Sequence, residues 1–264
     1  FIIRNKLYIG VHAEDFWSSS ERHYINSRWW NYMKNNFLQW STCDSWPVLP
    51  SFKVWAENCS NVWFWASFGV KALHKENYHK YGHVKHLFGP LNTKEYYPIS
   101  KQRKLELRKK FNIDPDCKIF IKLGRLQLRK LYLSVLESFA KFKKQHPECN
   151  NSKLLFHCSW VEAAGWPLVR LMEEFGISKE DVLTTYYCKQ CRNWEIKFYQ
   201  GEELDCKFCG GQKKQFTAGV DSTITNEELS LIFGVADAAV SCYTSGGYEY
   251  FNPQSLLCGL PLLC

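Results

Sequence analysis

Thr225-Asn226-Glu227-Glu228-Leu229-Ser230-Leu231-Ile232-Phe233-Gly234-Val235-Ala236-Asp237-Ala238-Ala239-Val240-Ser241-Cys242 is the stretch that decides the architecture. Thr225 and Glu228 have the spacing of a capping box, in which each side chain satisfies a backbone N–H of the other's turn. The helix they open carries Leu229, Ile232 and Phe233 and should stop near Asp237. Ala238 to Cys242 is an apolar run of buried-strand length. Thr244-Ser245-Gly246-Gly247-Tyr248-Glu249 follows as a glycine-containing turn at the strand's carboxyl end. Pro253 can open a second helix in its first turn. Gly259-Leu260-Pro261-Leu262-Leu263 reads as that helix's stop and one more strand. In an open α/β sheet, ligands sit beyond the carboxyl ends of strands, where helix N-termini and free N–H groups meet an anion. Residues 244–254 are therefore candidates for chemistry.

The order of these elements resembles a retaining, group 1 glycosyltransferase of the GT-B fold. Residues 231–241 resemble its helix, its alanine- and aspartate-containing strand entry and its serine-rich loop. Gln254-Ser255-Leu256-Leu257-Cys258-Gly259-Leu260-Pro261 resembles the helix that follows. The family carries two glutamates here. Gln254 occupies the place of the second and Gly246 that of the first, so Glu249 is the nearest acid. The resemblance implies an α/β fold of two Rossmann-like domains, with 1–97 as a partial amino-terminal acceptor-side domain and 98–264 as the nucleotide-sugar-binding domain. The start in a strand-like segment and the end on another imply a fragment truncated at both ends.

Composition sets wider bounds. Hydrophobic residues make up 45% and charged residues 23% of the 264, an ordinary globular balance. The net charge of +8 suits an anionic ligand, whether nucleotide sugar, nucleic acid or membrane surface, and suits a merely solvated basic surface equally well. No apolar run approaches a membrane span and no leader is visible, which points to a cytoplasmic protein. Aromatics reach 16%, with the eleven Trp concentrated in the first hundred residues.

From the amino terminus, Leu7–Val11 reads as a strand ending at His12, which either faces the donor sugar, as the resemblance implies, or is a loop histidine. Ser27 to Trp40 has helical aromatic spacing at Trp30, Met33, Phe37 and Trp40, a core stripe or else a membrane or acceptor contact. Val62–Ala66 is a buried strand followed by Ser67. His79, His83 and His86 would share a helical face, although a solvated basic segment explains them without a metal. Gly89 to Pro98 resembles the family's interdomain element, with Asn92, Tyr96 and Pro98 at the expected spacings.

Lys118–Leu123 is the next strand and ends in Gly124-Arg125, with Lys130 before a helix carrying Leu133, Leu136, Phe139 and Phe142. Two fixed cations beside a helix N-terminus make a diphosphate clamp, and the pattern resembles the family's glycine-arginine-lysine signature. Leu131 stands where the family has a glycine. Leu154–Cys158 forms another strand, on which His157 either faces the donor or is a core histidine. Val182–Tyr187 is a further strand.

Cys188-Lys-Gln-Cys191 and Cys206-Lys-Phe-Cys209-Gly-Gly are two Cys-x-x-Cys pairs. Two such knuckles bring four thiolates to one tetrahedron, the donor set of a structural zinc with no open position for a catalytic water, with redox-active pairs or an iron site as the alternatives. Residues 186–214 thus read as a zinc ribbon of rubredoxin-like kind inserted in the α/β pattern, bordering the nucleotide pocket or the domain cleft. Metal binding should supply most of its folding free energy.

Under the resemblance, Arg125, Lys130 and Glu249 are the catalytic candidates. Gly124, Ser245, Gly246, Gly247, Gln254, His157 and His12 are the donor-binding ones. The cations would stabilise the leaving diphosphate without a catalytic divalent metal. The acceptor, whether glycan, lipid, protein or nucleic acid, is not readable, and peripheral membrane contact stays open. The alternative is a non-catalytic zinc-ribbon protein binding nucleic acid or nucleotide, which a basic, aromatic-rich chain also suits.

Overall fold

A computed structural model describes residues 91–264 apart from 163–164, 220–221, 223 and 245–248. Of residues 1–90 it describes five short strands and the helical positions Ser67, Val70 and Lys71. The chain divides into two compact units, Phe1–Pro90 with Ser245–Glu249, and Leu91–Thr244 with Tyr250–Cys264.

In the first unit, β1 (Ile2–Ile3) and β2 (Lys6–Leu7) form an antiparallel pair. Strands β3 (Leu38–Ser41), β4 (Asn61–Phe64) and β5 (Val84–His86) form a parallel sheet in that order. Two expectations are corrected here. The helix expected over 27–40 cannot reach its end, because Leu38, Gln39 and Trp40 pair with Asn61, Val62 and Trp63. Aromatic residues favour strands as readily as apolar helix faces, and Trp40 belongs to a strand. His86 pairs with Phe64 in β5, so period-two alternation separates it from any helical face shared with His79 and His83. His12, His79 and His83 lie outside the described residues.

The second unit is a doubly wound α/β domain. Its strands are β6 (Lys118–Leu123), β7 (Ser152–His157), β8 (Val182–Cys188), β9 (Trp194–Phe198), β10 (Glu203–Leu204), β11 (Gln215–Thr217), β12 (Ala238–Val240) and β13 (Leu262–Leu263). Strands 8-7-6-12-13 are parallel neighbours, and the order reverses between β6 and β12. The helices are α1 (Lys101–Lys110), α2 (Tyr132–Gln145), α3 (Leu168–Glu174), α4 (Asn226–Val235) and α5 (Phe251–Leu257). The central strands β6, β7 and β8 bury residues on both faces. Ile119, Ile121, Leu155 and Leu183 pack with Leu107 of α1, Phe233 of α4 and Phe251 of α5. Leu154, Phe156 and Val182 pack with Leu136 and Phe139 of α2 and Leu171 of α3.

Local chemistry sets the ends of these elements. Thr225 Oγ1 accepts from Glu228 N while Glu228 accepts from Thr225 N at 2.8 Å, the capping box read from the sequence. Helix α5 contains Pro253 in its first turn and stops before Gly259, whose φ of +76° suits glycine. Asp237, just past α4, accepts from Lys104 and Arg108, both at 2.7 Å, and from Ile119 N at 2.8 Å. Arg108 is buried, and its guanidinium also donates to the Val235, Pro115 and Cys117 carbonyls. Burial alone would push the Asp237 carboxyl up, but the hydrogen bonds from Lys104, Ile119 and Arg108 hold it below the ordinary value.

Strand β8 belongs to two structures at once. On one edge, β9 pairs along Leu183–Tyr187. On the other, β7 pairs with Val182–Thr184, and β11 takes over at Tyr186–Cys188. The carboxyl half of β8 therefore projects past β7 and carries the cysteine segment into the space above the sheet's carboxyl ends. Among the described residues no helix is long and apolar enough to cross a membrane.

Candidate functional site

The carboxyl ends of β6, β7 and β8 open on a cavity of about 520 Å³. Gly124 and Arg125 line it from the loop after β6, His157 and Glu162 from β7 and the loop after it, and Tyr187 and Phe216 from β8 and β11. Gly124 has a φ of +145°, which favours glycine, and a Cβ there would meet nothing within 4 Å, so the backbone stands open to a ligand. Its N–H donates to the His157 carbonyl at 3.3 Å and its carbonyl accepts from the Tyr132 hydroxyl at 2.8 Å.

Arg125 is 54% exposed and donates to the Glu162 carboxylate at 2.6 Å. Arg125, expected from the sequence as a clamp cation, is thus paired with an acid at the cavity. His157 is half-buried, yet its Nδ1 is enclosed and has no hydrogen-bond partner. Burial pushes its pKa down to about 4, so the ring is neutral at pH 7.

Lys130 does not line this cavity. It ends the 3-10 turn Leu128–Lys130, with Nζ 5.8 Å from the Tyr243 ring centroid, and Arg129 O accepts from Thr244 N at 2.9 Å. Both contacts place the turn beside the loop after β12, at the reversal of strand order. Leu131 takes φ 46° and ψ 44°, the left-handed conformation a glycine would adopt freely, so the leucine leaves a glycine-shaped loop in place. Lys122, which sequence reading passed over, is a buried lysine on β6 donating to Cys242 O at 2.9 Å. Its signal was a charge inside an otherwise apolar strand.

Gln254 lies on α5 and donates through Nε2 to the Tyr96 hydroxyl at 2.8 Å, which itself donates to Asn226 Oδ1 at 2.9 Å. One of its two amide N–H groups thus helps hold the 91–98 segment, through Tyr96, against α4 and α5. Glu249 is half-buried and belongs to the first unit. Ser245, Gly246 and Gly247 lie outside the described residues.

The four cysteines converge. The sulfurs of Cys188, Cys191, Cys206 and Cys209 lie within 4.8 Å of one another, with Cys188–Cys209 at 3.8 Å and Cys191–Cys206 at 3.7 Å. A tetrahedron with Zn–S bonds of about 2.3 Å has edges of about 3.8 Å, so the set fits a thiolate-bound zinc. The two knuckles repeat one geometry. Arg192 N donates to Cys188 O at 2.9 Å and Gly210 N to Cys206 O at 2.8 Å. Cys188 N and Cys206 N donate to Asn193 O and Gly211 O, both at 2.9 Å. Each knuckle ends on a left-handed residue, Arg192 at φ 61° and Gly210 at φ 68°. Asn193 donates to Cys191 Sγ at 3.4 Å and holds that thiol down at about 6.

The cysteine segment is pinned to the sheet by a buried polar network. Glu195 on β9 accepts from Lys197 at 2.8 Å, from Gln215 at 2.9 Å and from Lys207 inside the second knuckle. On the cavity side, Trp160 N donates to Thr217 Oγ1 of β11 and Trp160 Nε1 to Thr184 Oγ1, both at 3.0 Å. A Cβ on Gly219 would meet Ser159 Cβ at 2.8 Å, so glycine permits this close return.

No protein-family model matches the chain, and no curated protein matches it in sequence. Solved structures do match in fold. Sucrose-phosphate synthase from Thermosynechococcus elongatus aligns at a TM-score of 0.58 and 15% identity over 89% of this chain and 51% of that one. HepE of Anabaena, solved with UDP-glucose, gives 0.58 and 9% over 96% and 58%. A glycosyltransferase from Rickettsia africae gives 0.56 and 10% over 91% and 53%. The chain spans about half the length of these proteins. Its fold is that of the GT-B glycosyltransferases, an α/β architecture that here carries a four-cysteine insertion.

Proposed function

We propose that the protein transfers a sugar from a nucleotide-sugar donor, as part of a GT-B enzyme. The observation that carries this reading is the cavity at the carboxyl ends of β6 and β7, where an open Gly124 backbone and the Arg125 guanidinium stand together in a GT-B fold. The backbone admits a phosphate closely and the guanidinium matches its oxygens. HepE, solved with UDP-glucose, supports the donor class.

In this reading Arg125 from the cavity, and Lys130 from the turn beside the loop after β12, neutralise charge on the departing diphosphate, which is leaving-group stabilisation by fixed cations. His157, neutral at pH 7, hydrogen-bonds the donor rather than pairing with it. The backbone of Gly246 and Gly247, with Ser245, approaches the phosphates or sugar, and Glu249 holds sugar hydroxyls or balances developing positive charge. Gln254 contributes its amide oxygen and its second N–H, because the first N–H holds Tyr96. His12 would face the sugar from the acceptor-side domain, 1–97, with donor binding in 98–264. Transfer with retention is the outcome that the group 1 resemblance supports.

We assign the four thiolates to a structural zinc held by the 186–214 ribbon. All four positions are filled by protein, so the ion supplies folding free energy and no reacting ligand position. Metal analysis of the purified chain should return about one equivalent of zinc, and cobalt substitution should give the absorption of a tetrahedral thiolate site.

Thermal-shift measurements with UDP, GDP, ADP, CDP and dTDP sugars test the donor reading, with single-stranded DNA as control. Ligand at a hundred times its Kd adds about 2.7 kcal/mol of stability. Stabilisation by one nucleotide class that Arg125→Ala abolishes supports it. Salt-sensitive stabilisation by DNA alone replaces it with a nucleic-acid-binding protein.

A further inference from the structure

The cavity has two walls of different origin. One comes from the α/β sheet, through Gly124, Arg125 and His157. The other comes from the cysteine segment and the strands that carry it. Glu203, Phe216 and Tyr187 are register partners across β10, β11 and β8, so their side chains stand in one row on one face. All three line the cavity, together with Lys189. Alternation along β8 puts Tyr187 on one face and Cys188 on the other, with Lys189 returning to the cavity. Lys189 Nζ lies 4.3 Å from the Phe216 ring centroid, which ties the loop after Cys188 to β11.

The metal ligands are thus interleaved with the wall. Cys188 sits between two lining residues, and Cys206 lies three residues beyond Glu203. Strand β10 has two residues and β11 three, too short to persist without an anchor at their ends. The second knuckle, which joins them, is that anchor. The phosphate-binding chemistry lies on the opposite wall, with Arg125, so what reaches the ribbon is the other end of a bound nucleotide. An aromatic ring flanked by a lysine and a carboxylate offers that end a stacking face and hydrogen-bonding edges.

We propose that the metal-loaded ribbon is part of the ligand site, its Glu203–Phe216–Tyr187 row and Lys189 forming the wall for the nucleoside end of a nucleoside diphosphate. Metal loading then sets nucleoside affinity while leaving phosphate affinity alone. The proposal rests on the donor reading above.

The test compares UDP, GDP and ADP with inorganic pyrophosphate by calorimetry on the full chain. The forms compared are zinc-loaded, chelator-stripped, Phe216→Ala and Arg125→Ala. Stripping and Phe216→Ala should each weaken the preferred nucleoside diphosphate at least tenfold and change pyrophosphate less than twofold. Arg125→Ala should weaken both. Lys189→Ala and Glu203→Gln alter exposed side chains and keep the test open if Phe216→Ala fails to fold. Hydrogen exchange at the Trp160 and Ala218 amides should lose protection on stripping, while β6 and β7 keep theirs. Nucleoside affinity unchanged by stripping and by all three ribbon variants overturns the proposal and leaves the donor site standing. A parallel fall of both probes on stripping also overturns it. Failure of the loaded protein to bind either probe overturns the donor reading itself.

Discussion

The guanidinium of Arg125 and the carboxylate of Glu162 meet at 2.6 Å, joining the loops that follow β6 and β7. The pair is largely exposed on its arginine side, so it adds no more than about 1 kcal/mol to stability. Under the proposed donor reading its weight falls on binding, because an arriving phosphate would compete with Glu162 for the same guanidinium. Glu162→Gln should therefore tighten pyrophosphate and nucleoside diphosphate binding about three- to tenfold, with the unfolding midpoint nearly unchanged. Weaker binding in a titration of that variant would instead make Glu162 the residue that positions Arg125.

His157 gives the protein an acid-side stability slope. Its folded pKa of about 4 lies below the ordinary 6.5, so the unfolded chain binds more protons between those values. Stability is complete above about pH 6.5 and falls as pH drops towards the folded value. The expected loss is on the order of 2 kcal/mol for an enclosed ring that borders a solvated cavity. His157→Gln should flatten this part of the curve when urea midpoints at pH 5 and pH 7 are compared.

Asp237 joins α1 to the start of β6 and the end of α4. Asp237→Ala should cost about 2–3 kcal/mol, below the range for a fully buried pair because the aspartate is partly exposed and Arg108 keeps three carbonyl acceptors. Its carboxyl pKa is depressed, so its contribution is present above the unfolded value near 4 and lost as pH falls further. Denaturant unfolding of the variant measures the first effect, and its acid limb the second.

The two knuckles differ in one residue of their shared geometry. Arg192 holds a left-handed conformation that Gly210 adopts without steric cost. Arg192→Gly should stabilise the metal-loaded ribbon by roughly 0.5–1 kcal/mol, the relief of that strain less the added freedom of the unfolded chain. A rise in the chelator concentration needed to release half the metal reports it. A fall would mean that the arginine side chain holds the knuckle.

What the sequence made legible was local. The Thr225 and Glu228 capping box, the glycine after β6 and the two Cys-x-x-Cys pairs act through neighbours a few residues away, so their spacing carried the structure. Leu131 shows the limit of motif reading, since a departure from the family residue left the backbone conformation intact. The Arg125–Glu162 pair was invisible because thirty-seven residues separate its members. The same holds for Gln254 and Tyr96, whose contact turns a candidate ligand-binding amide towards packing. Trp40 misled because an aromatic at helical spacing is equally at home in a buried strand. The lining role of Phe216 and Glu203 could not be read at all, since it follows from β8 changing partners halfway along its edge.

That change of partner bears on the order in which the chain folds. The β8–β9 hairpin closes over a few residues, whereas the parallel pairing of β8 with β7 must wait for the crossover through α3. Contacts of short sequence separation form first because their loops lose the least entropy on closing. An ion captured by the knuckles would hold the carboxyl half of β8 extended before its amino half has found the sheet. The insertion would then act as a template for the strand it extends, and refolding should accelerate with zinc present from the start and slow when it is added late.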